Sequence, residues 1–406
     1  MNDATPQILS GVLVVGGGYA GLHAVQAVKR KGVNVTLLDA SPELSFATRL
    51  AAVAGGTAPE SDASIPLDVL VDTVLIGRMS AVGDGWIRLD DGSVLQADAV
   101  VVTTGAATTR PPIPGLDLAA TMRTAADARA LRRRITTADA VVVVGGGASG
   151  VQLAAATAEA HPNMTIHLVE AGRSLLAEMG STLGDNAVRI LEQRGVQVHL
   201  QTTVERIRRD GVDTSHGPIA GIVVWVGGFA TDASSLGLPV DDAGRVAVNE
   251  DLSVSSMERT FAAGDVAAHR TADGTPLPMS AQIAVRAGTA AGRNAARHIT
   301  GAATRPVRLS QLGWVMDLGG GRGLAELGPL SVPTLELRGR RLNLGPFPLA
   351  ATLLDLVPPL LHDGIDAKDV LEIAGLGALL PWNPRFAAWP RFSPNPSGRE
   401  GASRRN

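Results

Sequence analysis

Short apolar runs alternate with stretches of helical spacing along most of the chain. Val12 to Val15 is an uninterrupted apolar run that ends in GGGYAGL, residues 16 to 22. Apolar positions then recur at Ala20, Leu22, Ala24, Val25 and Val28, Gly32 closes the stretch, and VNVTLLD runs to Asp39. A short apolar run bounded by turn residues predicts a buried strand, and the spacing after it predicts a helix. The same order returns later. AVVVV (Ala140 to Val144) enters GGGASG at residues 145 to 150, VQLAAATAEA follows with helical spacing, and TIHLVE ends at Glu170. Two more apolar runs end at small-residue turns: VVVTTGA (100 to 106) at Gly105, and TFAAGDVA (260 to 267) at Gly264-Asp265. From about residue 306, LGWVMDLGGG and RGLAELGPL alternate like short strands with glycine turns.

Each part of the strand–glycine–helix–strand unit has a physical task in holding a dinucleotide. Gly16 permits a tight turn, Gly18 lets the backbone approach a pyrophosphate, and Gly21 lets the helix pack close to the strand. The helix start at Tyr19 and Ala20 offers unpaired N–H groups and a positive dipole end to phosphates. Asp39, 18 residues beyond Gly21, can accept hydrogen bonds from an adenosine ribose. Gly145, Gly147, Gly150 and Glu170 repeat the unit with the acid in register. One such glycine pattern is weak evidence, but two complete ones predict two dinucleotide sites. Glu170 hydrogen-bonds a free ribose 2′-OH and repels a 2′-phosphate, so NADH is expected over NADPH, with Arg173 able to soften the preference.

Composition narrows the chemistry. The 406 residues are enough for two or three domains, and 45% hydrophobic with 18% charged residues is ordinary globular composition. A net charge of -3 gives no reason to expect nucleic acid. The chain has no cysteine, which excludes disulfides, thiolate metal sites, iron–sulfur clusters and thiol redox relays. The eight histidines are scattered from His23 to His362 with no two on one helix face at ligand spacing, so no metal centre is expected. The first ten residues lack the basic start and apolar core of a secretory signal, and no apolar stretch is long enough to span a bilayer.

The order of these four motifs resembles the two-dinucleotide-binding-domain flavoproteins, the FAD-dependent pyridine nucleotide oxidoreductases, over residues 11 to about 300. The resemblance implies an α/β fold with two Rossmann-like domains and a small C-terminal α+β region. An FAD domain (8–115, resuming at 245–305) would be interrupted by an NAD(P)H domain (116–244) and followed by a C-terminal region (306–392) and a disordered tail (393–406). It assigns Gly16, Gly18, Tyr19, Ala20, Gly21, Asp39 and Gly105 to FAD, with Asp265 of the Gly264-Asp265 turn on the ribityl hydroxyls. Gly145, Gly147, Gly150, Glu170 and Gly227 then serve the nicotinamide cofactor. Arg49 in LSFATRLAAVAGG is a candidate to neutralise flavin or phosphate charge; an ordinary solvated arginine is the other reading. Trp225 in IVVWVGGFA reads more readily as core than as a cofactor wall. The arginine clusters at 132–134 and at 206, 208 and 209 read as solvated faces.

The absence of cysteine removes the disulfide-reductase and sulfide:quinone branches. MSAQIAVRAGTAAGRN, residues 279 to 294, looks like the helix after the Gly-Asp strand in type II NADH dehydrogenases. That resemblance nominates Ala281 and Gln282 near a bound quinone, the small-molecule electron acceptor; Gln282 as a polar residue satisfying the helix start is the competing reading. Two departures stand out. GVQLA puts Gln152 where the family has a glutamate near the nicotinamide, and Arg286 replaces a second glutamine of the acceptor helix. Gln152 can donate and accept but cannot carry a proton, which puts proton delivery to the acceptor in question. The alternatives are a reductase of a ferredoxin- or rubredoxin-like carrier and a redox-sensing flavoprotein of the apoptosis-inducing-factor type. Residues 347–392, with Phe347, Trp382, Phe386, Trp389 and Phe392 beside Arg385 and Arg391, fit either a membrane interface or a helix pair docked on this protein or on a second subunit of a homodimer. The corresponding location is cytoplasmic, with peripheral contact on the inner face of the cell membrane as the membrane reading.

Overall fold

The computed structural model describes residues 6–311, 313–318, 322–327 and 335–338. A seven-stranded sheet runs in the order Val74–Ile76, Val35–Asp39, Gln7–Val15, Val94–Val102, Trp86–Leu89, Met79–Gly83, and Thr260–Ala262 pairs with Val94–Val102. Its five strands from Val74–Ile76 through Gln7–Val15 and Val94–Val102 to Thr260–Ala262 are parallel. A parallel sheet is covered on both faces, which is why Val12–Val15 and Ala99–Val102 are apolar without alternation. Val12, Val14, Leu37 and Val101 join one core, while Leu13, Val15, Leu38 and Val102 join another on the opposite face.

Helix α1 (Tyr19–Lys29) and a long helix, Ala281–Ile299, lie together on the first of these faces. Their approach depends on small residues. A Cβ on Gly288 would lie 2.1 Å from the Ala20 carbonyl oxygen, and one on Gly292 would lie 2.4 Å from that of Ala24.

Between Asp39 and Val74 the chain leaves this sheet. Glu43–Ser45 pairs with Ser64–Pro66, and α2 (Leu50–Gly55) sits between them. This excursion packs on a second, four-stranded parallel sheet, ordered Val196–His199, Thr165–Val169, Ala140–Val144, Ile222–Trp225, through its helices α3 (Ala125–Thr136) and α4 (Ala148–Ala160). Leu50, Val53 and Ala54 share one core with Leu131, Val143, Leu153 and Leu168. Arg132 donates to the carbonyls of Val53 and Ala58, and Arg129 to Ser64 Oγ at 2.7 Å. The solvated face expected at 132–134 is therefore corrected: Arg132 is half-buried and ties the second sheet's helix to α2, while Arg133 and Arg134 are exposed.

Helix α5 (Ser181–Glu192) covers the same side of the second sheet, and a three-stranded antiparallel meander, Val204–Arg208, Gly211–Thr214 and Gly217–Ala220, covers the other. Trp225 packs there with Val144, Val169 and Ile207 and donates from Nε1 to the Thr109 carbonyl at 3.0 Å, so it is core. Within the region after 306, Gly313–Asp317 and Arg322–Leu327 are the short strands that the alternation predicts, and Leu335–Arg338 joins them as a third in an antiparallel sheet. The aromatic segment 347–392 and the tail 393–406 lie outside the described residues.

Candidate dinucleotide and acceptor sites

Each fingerprint folds into a strand, a turn and a helix start, and the glycines separate by what surrounds them. Gly16 (φ +107°) and Gly145 (φ +118°) turn the chain in the left-handed region. A Cβ on Gly21 would lie 1.8 Å from the Gly16 carbonyl oxygen, and one on Gly150 would lie 1.9 Å from that of Gly145, so both are demanded by packing. Gly18 and Gly147 differ. Their φ angles are -75° and -74°, open to any residue, and beyond the adjoining chain no atom of the described residues lies within 4 Å of the place a Cβ would take. They stand at the N-caps of α1 and α4, where backbone N–H groups lack helical partners. Nothing among the described residues accounts for glycine at these two positions, and the open space at each helix start fits a phosphate group. The residues thus fit a dinucleotide at both turns.

The two acids close their turns in the same way. Asp39 accepts the Gly17 N–H at 2.5 Å and the Ser41 N–H at 2.7 Å. Glu170 accepts the Gly146 and Gly172 N–H groups, both at 2.6 Å. Each carboxylate is thereby held in place, with further lone pairs left to accept from a ribose.

Asp265 follows Gly264 (φ +81°) at the end of Thr260–Ala262, beside Ala20 of the first fingerprint: a Cβ on Gly264 would lie 2.8 Å from Ala20 Cβ. Burial pushes the Asp265 carboxyl up, and the guanidinium of Arg123 opposes that shift. Arg123 also lies over the Phe229 ring at 4.8 Å, with Nη2 3.6 Å from where a Gly105 Cβ would stand. Phe229–Ala230 pairs with Ala107–Thr108, so this cluster occupies the two crossings between the sheets. Sequence reasoning missed Arg123, Phe229 and His269, whose Nε2 accepts the Gly264 N–H at 3.1 Å. Arg123 directly precedes the Thr124–Asp127 capping box, and nothing in that spacing marks it.

Other candidates fall elsewhere. Arg49 is buried and ion-paired with Asp62, so neither the solvated reading nor an uncompensated charge for phosphate holds. A Cβ on Gly227 would lie 2.6 Å from the Trp225 ring, which explains that glycine by packing. Gln152 is half-buried on α4, one turn beyond the Gly147 helix start. The long helix Ala281–Ile299, here α6, is capped by Ser280, whose Oγ accepts the Ile283 N–H, so Gln282 does not satisfy its own helix start. Gln282 is buried, and its Nε2 donates to the Gly313 carbonyl at 2.7 Å. Arg286 donates to the Ser310 carbonyl at 2.8 Å, and Ala281 is half-exposed.

His167 and His199, on neighbouring parallel strands, meet with Nδ1 and Nε2 3.0 Å apart, and burial lowers both pKa values. Among the described residues no group of three or more histidines and acids could hold a metal ion, and no helix is long and apolar enough to cross a membrane.

Residues 10–288 match the pyridine nucleotide-disulphide oxidoreductase family. The chain is 29% identical over 383 residues to a demethylphylloquinone reductase of Synechocystis, covering 86% of this chain and 94% of that one. It is 27% identical over 326 residues to a type II NADH:quinone oxidoreductase of Mycobacterium tuberculosis, covering 66% and 68% of the two chains. With the ferredoxin–NAD(+) reductase component of an anthranilate 1,2-dioxygenase system of Burkholderia cepacia it shares 35% identity over 195 residues, covering 45% and 47%.

Proposed function

The chain belongs to the pyridine nucleotide-disulphide oxidoreductase family, and from that premise we propose that it passes electrons from NADH to a quinone. It is an FAD-dependent NAD(P)H dehydrogenase, a flavoprotein oxidoreductase. Bound FAD supplies the two-electron relay between nicotinamide and acceptor, in a chain without a thiol to share that work. The observation that carries the reading is the pair of helix starts at Gly18 and Gly147, where glycine answers to no neighbour among the described residues.

Gly16, Gly18 and Gly21, with the N–H groups at Tyr19 and Ala20, receive the FAD pyrophosphate, and Asp39 accepts from its adenosine ribose. Asp265, beside Gly105 and Arg123, accepts from the ribityl chain. Gly145, Gly147 and Gly150 do the same for NADH, and Glu170 accepts from the ribose 2′-OH while repelling a 2′-phosphate. Gln152 lines the nicotinamide side as a neutral donor and acceptor, and Gly227 keeps that wall low. Ala281 and Gln282 head the helix on the acceptor side. The ion pair with Asp62 neutralises Arg49, which takes no part in cofactor binding in this reading.

Support for a quinone comes from similarity that runs over 94% of a demethylphylloquinone reductase, including the region after 305. A lipid-soluble acceptor favours work at the inner membrane surface. A carrier protein is the second reading, favoured by Arg286 where the family resemblance calls for glutamine and by the ferredoxin reductase relative. One experiment separates them. Anaerobic NADH should bleach the flavin absorbance of the purified protein, and a soluble menaquinone analogue should restore it within a turnover. Restoration by a ferredoxin or rubredoxin and by no quinone would replace the first reading with the second.

A further inference from the structure

We infer that His269 is a positioning residue of the flavin site, holding the Gly264–Asp265 turn, and through it the Asp265 carboxylate, by accepting the Gly264 N–H at Nε2. The inference rests on the reading of Asp265 as an FAD ligand. His269 is 4% exposed, and the 3.1 Å bond from Gly264 is buried. Gly264 itself cannot give way toward α1, since even a Cβ there would meet Ala20. The turn is thus pinned on one side by contact and on the other by the imidazole.

The backbone that carries the imidazole is in turn fixed by its neighbours. The His269 backbone N–H donates to the Ala267 carbonyl at 3.0 Å, and the Leu277 N–H donates to the His269 carbonyl at 2.9 Å. Arg245 Nη1 donates to the Leu277 carbonyl at 3.2 Å, and its Nη2 pairs with Asp241 at 3.1 Å. A ring nitrogen accepts only while it lacks a proton, so Nε2 as acceptor places the proton on Nδ1. Nδ1 is buried and has no hydrogen-bond partner among the described residues. An orphaned buried donor of this kind destabilises the fold. A site that packing alone had shaped would do better with leucine.

The charged groups around the ring act consistently. Burial and the Arg245 guanidinium hold the His269 pKa down to about 4, and Asp241 balances Arg245. Asp265 and Arg123 stand at the turn that the ring supports. The acceptor therefore persists through neutral pH and is lost in acid, together with the charge of Asp265.

The test measures FAD release from the holoprotein by flavin fluorescence, across pH, in wild type, His269→Leu and His269→Gln. His269→Leu leaves the Gly264 N–H without an acceptor and should weaken FAD binding about five- to tenfold at neutral pH. His269→Gln, whose amide oxygen can accept the same N–H, should stay within about twofold of wild type. On the acid side, log Kd should rise with a slope about one proton steeper in wild type than in His269→Gln, where Asp265 alone still titrates. Wild-type affinity in His269→Leu, no rescue by His269→Gln, or equal acid slopes would overturn the positioning role. Should His269→Leu misfold by circular dichroism, the slopes of the other two decide. A wild-type chain that binds no FAD overturns the site reading itself.

Discussion

Glu170 closes the glycine turn of its own fingerprint: its Oε2 accepts the Gly146 N–H at 2.6 Å while Oε1 accepts that of Gly172 at the same distance. One carboxylate thus shapes the loop at the α4 start and presents charge to the ribose. The two tasks are separable by substitution. Glu170→Gln keeps one oxygen acceptor and removes the charge that repels a 2′-phosphate. Charge-assisted bonds are roughly twice as strong as neutral ones, so KM for NADH should rise about tenfold. The ratio of NADPH to NADH use should rise as well, with FAD content unchanged. An undiminished preference for NADH in the variant would move the discrimination to another residue.

The glycines of the first fingerprint should fail in different ways. Gly18→Ser puts its Cβ into space that no neighbour among the described residues fills and adds a favourable N-cap, so the flavin-free fold should keep its Tm while FAD content falls. Gly147→Ser should do the same to NADH affinity alone. Gly21→Ala is another matter, because its methyl would stand 1.8 Å from a backbone oxygen. It should cost at least ~2 kcal/mol of stability with or without FAD. Thermal melts of flavin-free and flavin-bound protein distinguish the two classes; a Gly18→Ser that melts early with normal flavin content would reverse the assignment.

His23 predicts an acid limb of stability. It is buried on α1, neither ring nitrogen has a hydrogen-bond partner among the described residues, and burial, aided by Arg30, lowers its pKa to about 4. The ordinary value is 6.5, so the unfolded chain binds the proton first. Stability is fully present above pH 6.5 and falls as the pH drops toward 4. The loss is at most ~3 kcal/mol from this residue. His23→Met removes both the orphaned atoms and the proton uptake, so it should raise Tm at neutral pH and flatten the fall in acid. An unchanged acid limb in the variant would assign the limb elsewhere.

The parts legible in sequence were those whose physics is local. Gly16, Gly21, Gly145 and Gly150 act within one turn of chain, and Asp39 and Glu170 close turns two dozen residues long or fewer, so spacing alone exposes them. The misread arginines show the limit. Arg49 and Arg132 look like solvent residues in their own segments; Arg49 is buried and paired with Asp62, and the packing of α2 on α3 and α4 brings Arg132 to the Val53 carbonyl. That packing depends on Gly55, where a Cβ would stand 2.6 Å from Ala156 Cβ on the other sheet's helix. No periodicity reports a contact between elements a hundred residues apart. His167 and His199 illustrate the same point, since strand pairing joins residues that spacing kept separate.

The acceptor side gives the last prediction. Gln282 Nε2 donates to the Gly313 carbonyl, and Gln311 Nε2 donates to the same oxygen at 2.9 Å. Gly313 opens the strand Gly313–Asp317, so Gln282 joins the head of α6 to the region that follows residue 305. Gln282→Leu removes one of two donors to that oxygen and leaves the other, and the loss of that bond costs about 0.5–1.5 kcal/mol. The glycine turns and their acids lie on other elements, so FAD content and the bleaching of flavin by NADH should be nearly unchanged. Reoxidation by quinone, which the proposed function sets at this helix start, should slow about two- to tenfold, the factor that one neutral hydrogen bond supports. Stopped-flow measurement of the two half-reactions reads them separately. A parallel fall in both would make Gln282 a support of the flavin site, and no change in either would remove the α6 head from the acceptor's path.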